Sequence, residues 1–234
     1  MSTDFAAALL RAPRPMIMEV KCQDADGREL LGGRTVAEIV AGYEAAGAPC
    51  VSVVTGRWFG GTERLLAEVA SLTSLPLLRK DFVTNRGQLR RSRELGASAV
   101  LLTARLLAAG TLERLTGQAL ELGLTPFVEV AGAAEAAAVR YGEDCVVAVN
   151  NKDIATGERG AGDLARSPAL LPAVRGTGTR CAVSASGIDG PRTAAGLLGA
   201  GFDGLLIGTG LLTAGSLTEW VADFDRARVG GPGR

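Results

Sequence analysis

The sequence of 234 residues contains no histidine. That absence removes Ser-His-Asp and Cys-His catalysis, together with every zinc site that needs an imidazole. Proton transfer near neutral pH must fall to Lys, Glu, Asp, Tyr or Cys. Charge of one sign is also lacking: 25 basic and 25 acidic side chains give a formal net charge of zero. No basic surface therefore points to nucleic acid or an anionic membrane. No apolar run reaches the roughly 18 residues needed to span a bilayer. The first ten residues carry Asp4 and lack the long apolar segment of a signal peptide. The four cysteines, Cys22, Cys50, Cys145 and Cys181, are far apart and form no Cys-x-x-Cys pair. Three of them sit in apolar runs, where a free thiol behaves as a small hydrophobe. A reduced, cytoplasmic setting follows. Cys22 is not expected to be a nucleophile, since Glu19 opposes a thiolate there while Lys21 favours one.

Hydrophobic residues make up 47% of the chain and charged residues 21%, the composition of a folded globular protein. The length suits one large α/β domain with a sizeable core. Short runs rich in Val, Ile and Leu alternate with helix-like stretches, and eight are expected to be strands: Met16–Lys21, Cys50–Thr55, Leu75–Lys80, Ala99–Thr103, Thr125–Val130, Cys145–Asn150, Arg180–Ser184 and Gly204–Ile207. Their continuity suits parallel strands buried on both faces. Gly47, Gly96, Gly123, Gly142 and Gly201 each follow an amphipathic segment and precede a strand, as left-handed helix caps do. Eight β/α units predict a (β/α)8 TIM barrel, an α/β fold in a single domain. A doubly wound sheet is the lesser expectation, because no Gly-x-Gly-x-x-Gly follows an early strand. The expected organisation is a helical lead-in over 1–15, the barrel over 16–228 and a Gly/Pro/Arg-rich tail over 229–234.

Barrel enzymes place their chemistry at the C-terminal ends of the strands. There this sequence sets Glu19 and Lys21, which period two puts on one face, then Lys80, Glu129 and Asn150. Burying such charges is costly, about 3–5 kcal/mol when a partner is missing. A structural ion-pair network is one explanation; a catalytic cluster is the favoured one. Ser186-Gly187 and Gly208-Thr209 follow the last two strands, where backbone N–H groups and hydroxyls suit a phosphate. Asp81 is expected to cap a helix or pair with a lysine. Trp58 and Phe59 form a rim loop that either walls a substrate pocket or covers the core.

These residues and their order resemble the indole-3-glycerol phosphate synthase family. The likeness runs from about Phe5 to Trp220. It rests on Glu19-Val20-Lys21, Tyr43-Glu44-Ala45-Ala46-Gly47-Ala48, Ser52-Val53-Val54-Thr55, Leu78-Arg79-Lys80-Asp81-Phe82, Val128-Glu129-Val130, Asn150-Asn151-Lys152-Asp153 and Ser186-Gly187-Ile188. The resemblance implies decarboxylating ring closure of an arylamino-deoxyribulose phosphate, in tryptophan biosynthesis, without cofactor or metal. By that likeness Lys80 is the general acid at the ketone and Glu129 the acid/base for dehydration. Lys21 supports them, Glu19 and Asn150 orient, and Ser186, Gly187, Gly208 and Thr209 hold the phosphate.

Three positions depart from the family. Asp24 stands where a hydroxyl helps hold substrate, Lys152 replaces an arginine and so loses its bidentate fork, and Ala185 replaces a glutamate. The N-terminal extension is also shortened. These changes predict poorer handling of a ring carboxylate, hence an altered arylamine substrate. A non-catalytic sugar-phosphate binding or partner subunit and a phosphosugar isomerase stay open as alternatives. The expected partner is a phosphorylated small molecule, with neither nucleic acid nor membrane. The chain is expected to be a monomer or weak homodimer, with a pathway enzyme as a further partner.

Overall fold

The computed structural model describes residues 5–153, 159–160 and 162–229. Eight parallel strands close into a barrel in sequence order. They are β1 (Met16–Val20), β2 (Cys50–Val54), β3 (Leu77–Lys80), β4 (Ala99–Thr103), β5 (Thr125–Val130), β6 (Val146–Asn150), β7 (Cys181–Ala185) and β8 (Gly204–Ile207). The closing pair is β1 with β8, in which Met16 faces Leu205 and Met18 faces Ile207. The (β/α)8 barrel expected from the apolar runs is the fold observed.

Strand ends move by a residue or two, for local reasons. β3 starts at Leu77 because Pro76 has no N–H to give a neighbouring strand. Cys145 closes a short 3-10 turn before β6 begins. β7 runs on to Ala185, which pairs with Asn150 on one side and Leu206 on the other. Of the five expected glycine caps, Gly47, Gly96, Gly123 and Gly201 have positive φ. Gly142 does not; Tyr141 takes the left-handed conformation instead, at φ 57. Gly142 is glycine because a Cβ there would lie 2.0 Å from the carbonyl oxygen of Thr177. Side-chain caps at Thr35, Thr62 and Asn85 start three of the outer helices.

Alternation along the strands sorts the core into two shells. Val51, Val53, Val100, Leu102, Val128 and Val147 face the helices. Ile17, Cys50, Leu78, Phe127, Cys181 and Leu206 face the barrel interior. The lower end of that interior is stoppered by the helix Phe5–Arg11, whose Phe5 and Leu9 are fully buried. Phe5 meets Phe127 edge-on, ring centroids 6.5 Å apart, and the thiol of Cys50 donates to the Phe5 carbonyl oxygen. At the other terminus the helix Leu217–Val229 runs past residue 228, and residues 230–234 of the expected tail lie outside the described part. An Arg14–Asp225 ion pair of 2.7 Å ties the two ends together. Among the described residues no helix is long and apolar enough to cross a membrane.

Candidate active site

The upper end of the barrel collects charge. Glu19, Lys21, Lys80, Glu129 and Asn150 are 4, 6, 7, 2 and 1% exposed, so all five are held by protein rather than by water. Strand period brings Glu19 and Lys21 up the same inner face of β1. Glu19 accepts a hydrogen bond from Ser52 Oγ at 3.0 Å and lies 3.9 Å from Lys80 Nζ. Beneath it, the Tyr43 hydroxyl donates to the Glu19 carbonyl oxygen and pins the end of β1. Lys21 Nζ sits 4.1 Å above the Phe59 ring, which attracts it electrostatically. Across the barrel, Asn150 Nδ2 donates to Glu129 Oε1 at 2.9 Å and fixes the plane of that carboxyl.

Two cavities open from this cluster. The first is lined by Glu19, Lys21, Lys80 and Lys152 together with Ser186–Asp189 and Leu206–Gly210. Ser186 and Gly187 both have left-handed φ, 68 and 70, so their peptide units turn sharply at the end of β7. Asn151 holds that turn: its Nδ2 donates to Ser184 Oγ and to the carbonyl oxygens of Ala185 and Ser186. Gly210 lets the β8 loop close on the β7 loop, since a Cβ there would lie 2.4 Å from the Ile188 carbonyl oxygen. Gly208 has a second reason to be glycine: its Cβ would come within 2.6 Å of Glu19 Oε1. Three lysines around a glycine-rich double turn make an anion pocket.

The second cavity is lined by Val54, Gly56, Trp58, Phe59, Lys80, Asp81, Phe82, Leu101 and Glu129. Trp58 stacks on Phe82, 5.1 Å between centroids and 28° between planes. Phe59 is buried while Trp58 stays 58% exposed, so the rim loop walls a pocket rather than covering the core. Lys80 borders both cavities.

The structure brings ten of the eleven proposed site residues to this mouth and leaves one aside. Asp24 turns into its own loop, where Oδ1 accepts from the backbone N–H of Asp26 and of Arg28, both at 2.9 Å. Those bonds, chiefly that from Arg28, hold its carboxyl below the usual range, and it lines neither cavity. Lys152 lies on the anion side, its N–H bonded to Asn150 Oδ1. Ala185 is fully buried inside the barrel. Asp81 is structural and its partner is Arg79, not a lysine: it accepts from Arg79, from Thr55 Oγ1 and from the Phe82 N–H. Cys22 packs partly buried against the outer shell. Burial first, then Glu29 and Glu68 rather than Glu19, raises its thiol.

Asn151, Ser52 and Arg166 act in the site's framework without having been singled out as site residues. Arg166 donates to the carbonyl oxygens of Asn150 and Lys152 and holds the end of β6. Asn151 and Ser52 stood in segments that carry the family likeness, whereas nothing in sequence signalled Arg166. Among the described residues, no group of three His, Cys, Asp or Glu comes together to hold a metal ion.

Comparison with known proteins agrees with this geometry. The family model described as indole-3-glycerol phosphate synthase matches residues 2–224. The indole-3-glycerol phosphate synthase of Pyrococcus furiosus is 35% identical over 175 residues, covering 74% of this chain and 75% of that protein. The synthase of Neisseria gonorrhoeae is 39% identical over 155 residues, covering 66% and 57%. The Archaeoglobus fulgidus tryptophan biosynthesis protein TrpCD is 37% identical over 155 residues, 66% of this chain but only 28% of that protein. With the family model matched over nearly its whole length, the chain belongs to the indole-3-glycerol phosphate synthase family.

Proposed function

We propose that the chain catalyses the decarboxylating ring closure of a carboxyphenylamino-deoxyribulose phosphate to an indole glycerol phosphate, in tryptophan biosynthesis. One observation carries the assignment of roles: Lys80 borders both the lysine-lined anion pocket and the aromatic-walled pocket. A substrate with a phosphate at one end and an aryl ring at the other places its central ketone at that ammonium.

As the ring carbon attacks the ketone carbon, negative charge grows on the ketone oxygen, and Lys80 supplies the proton that neutralises it. The new carbon–carbon bond leaves the ring carbon saturated. Breaking its bond to the carboxylate returns the electron pair to the ring and releases CO2. The resulting hydroxyl then leaves as water. Glu129, oriented by Asn150, gives the proton that departs with it and takes back the one lost from the linking methylene. Glu19 holds Lys80 in place, while Lys21 and Lys152 balance the phosphate charge with the Ser186–Gly187 and Gly208–Thr209 turns. No step needs a cofactor. The free thiols suit a reducing cytoplasm.

The test is incubation of the purified protein with carboxyphenylamino-deoxyribulose phosphate, following indole absorbance and fluorescence. Product formation at a catalytic rate is expected; none would overturn the assignment.

A further inference from the structure

One buried hydroxyl at the mouth is left over by the chemistry above. Thr103 ends β4, between β3, which carries Lys80, and β5, where Glu129 faces it in register. It shares the inward face with Leu101, a wall of the aromatic pocket two residues earlier. Thr103 therefore stands one inward position beyond Leu101 and beside Glu129, both of which line that pocket. It is 4% exposed, and its Oγ1 is buried with no hydrogen-bond partner among the described residues. A hydroxyl hidden from water without a partner destabilises the ligand-free fold, and valine has the same shape without that penalty.

The charges nearby define what the hydroxyl can serve. On the aromatic side, Lys80 is joined by two carboxylates, Asp81 and Glu129. Lys152, which the sequence placed at a ring carboxylate, lies on the anion side instead. Asp81 is already committed to Arg79 and Thr55. Lys80 is the cation among the residues lining this pocket, and it is engaged at the ketone, so a carboxylate carried on the aryl ring is served by a further, neutral donor.

We propose that Thr103 is a specificity residue whose hydroxyl donates to the carboxylate on the substrate's aryl ring. The assignment rests on the ring-closure function proposed above and adds a contact to it. It makes the aromatic pocket select aryl carboxylates over plain aryl groups by a neutral hydrogen bond, in place of a cationic fork.

The experiment uses ketone-reduced forms of two phosphosugars, which bind but cannot close: one carboxyphenylamino, one phenylamino. Their affinities are measured by calorimetry for wild type, Thr103→Val and Thr103→Ser, with the melting temperature of each ligand-free protein. Thr103→Val is expected to weaken the carboxylated ligand at least about 10-fold and to change the other by less than about 2-fold. Thr103→Ser keeps the hydroxyl and should stay within about 3-fold of wild type. Ligand-free Thr103→Val should melt at or above the wild-type temperature, which a merely structural threonine would not permit. Equal losses for both ligands, or no loss for either, would overturn the contact. If wild type forms indole product while Thr103→Val binds unchanged, this assignment alone falls; if wild type binds neither ligand, both fall.

Discussion

Single side chains at the barrel mouth answer to two demands at once. Lys80→Ala and Glu129→Gln are each expected to lower turnover by at least about 100-fold, the ordinary scale of acid–base catalysis, with circular dichroism unchanged. Near wild-type activity in either variant would remove that residue's role. Gly208 is the sharper case. Alanine there pushes a methyl group onto Glu19 Oε1, 2.6 Å from the added carbon, and so displaces the carboxylate that holds Lys80. Gly208→Ala should therefore reduce kcat as well as affinity for inorganic phosphate. A glycine serving the phosphate alone would lose affinity only. From the sequence, Gly208 was legible as a glycine closing the last strand, the place where a phosphate contact is expected. Its neighbour was not, since residues 19 and 208 meet only when the first and last strands pair. The surroundings of Asp24 were hidden for a related reason: its place in the family pattern was visible, but the turn that engages its carboxylate depends on Asp26, Arg28 and the backbone between them.

Among the elements, the junction of β6 and β7 shapes the anion side of the site through one side chain. Asn151 donates to three acceptors of the β7 end, and its Oδ1 accepts from Ser167 Oγ. Asn151→Ala would leave the Ser186 carbonyl oxygen short of a partner and reduce Ser167 and Ser184 to the hydrogen bond between themselves in a dry place, a loss of about 2–4 kcal/mol. Urea unfolding should show a lower midpoint with the slope unchanged. Phosphate affinity should fall too, because the Ser186–Gly187 turn relaxes; a variant stable but unable to bind phosphate would point to the turn alone. Strand identities were readable from continuous apolar runs, since a strand buried on both faces has little choice of composition. Their ends depended on neighbours, as at Pro76 and at the Ala185 pairing across two strands.

Over the whole molecule the lead-in before β1 and the last described helix are joined through Arg14 and Asp225. Hydrogen bonding from Arg14 holds the Asp225 carboxyl below its ordinary value. The pair's contribution is therefore complete above the ordinary carboxylate range and is lost as pH falls through the lower folded value. Asp225→Asn should lower the melting temperature at pH 7, and the gap to wild type should close as the pH falls below the ordinary carboxylate range. A gap independent of pH would mean that packing, not charge, joins the ends. The lead-in helix bears more weight: Phe5→Ala empties an aromatic site at the barrel floor and should cost about 3–5 kcal/mol. Sequence marked that helix but not its position, because its burial depends on an interior assembled from all eight strands. The stopper also sets when the inner sulfur atoms meet reagents. Cys50 and Cys181 face the sealed interior, and burial keeps the Cys50 thiol well above its usual range. Labelling of Cys50 by a maleimide thus requires the helix to undock, and its rate times that local opening while the upper mouth stays folded and occupied.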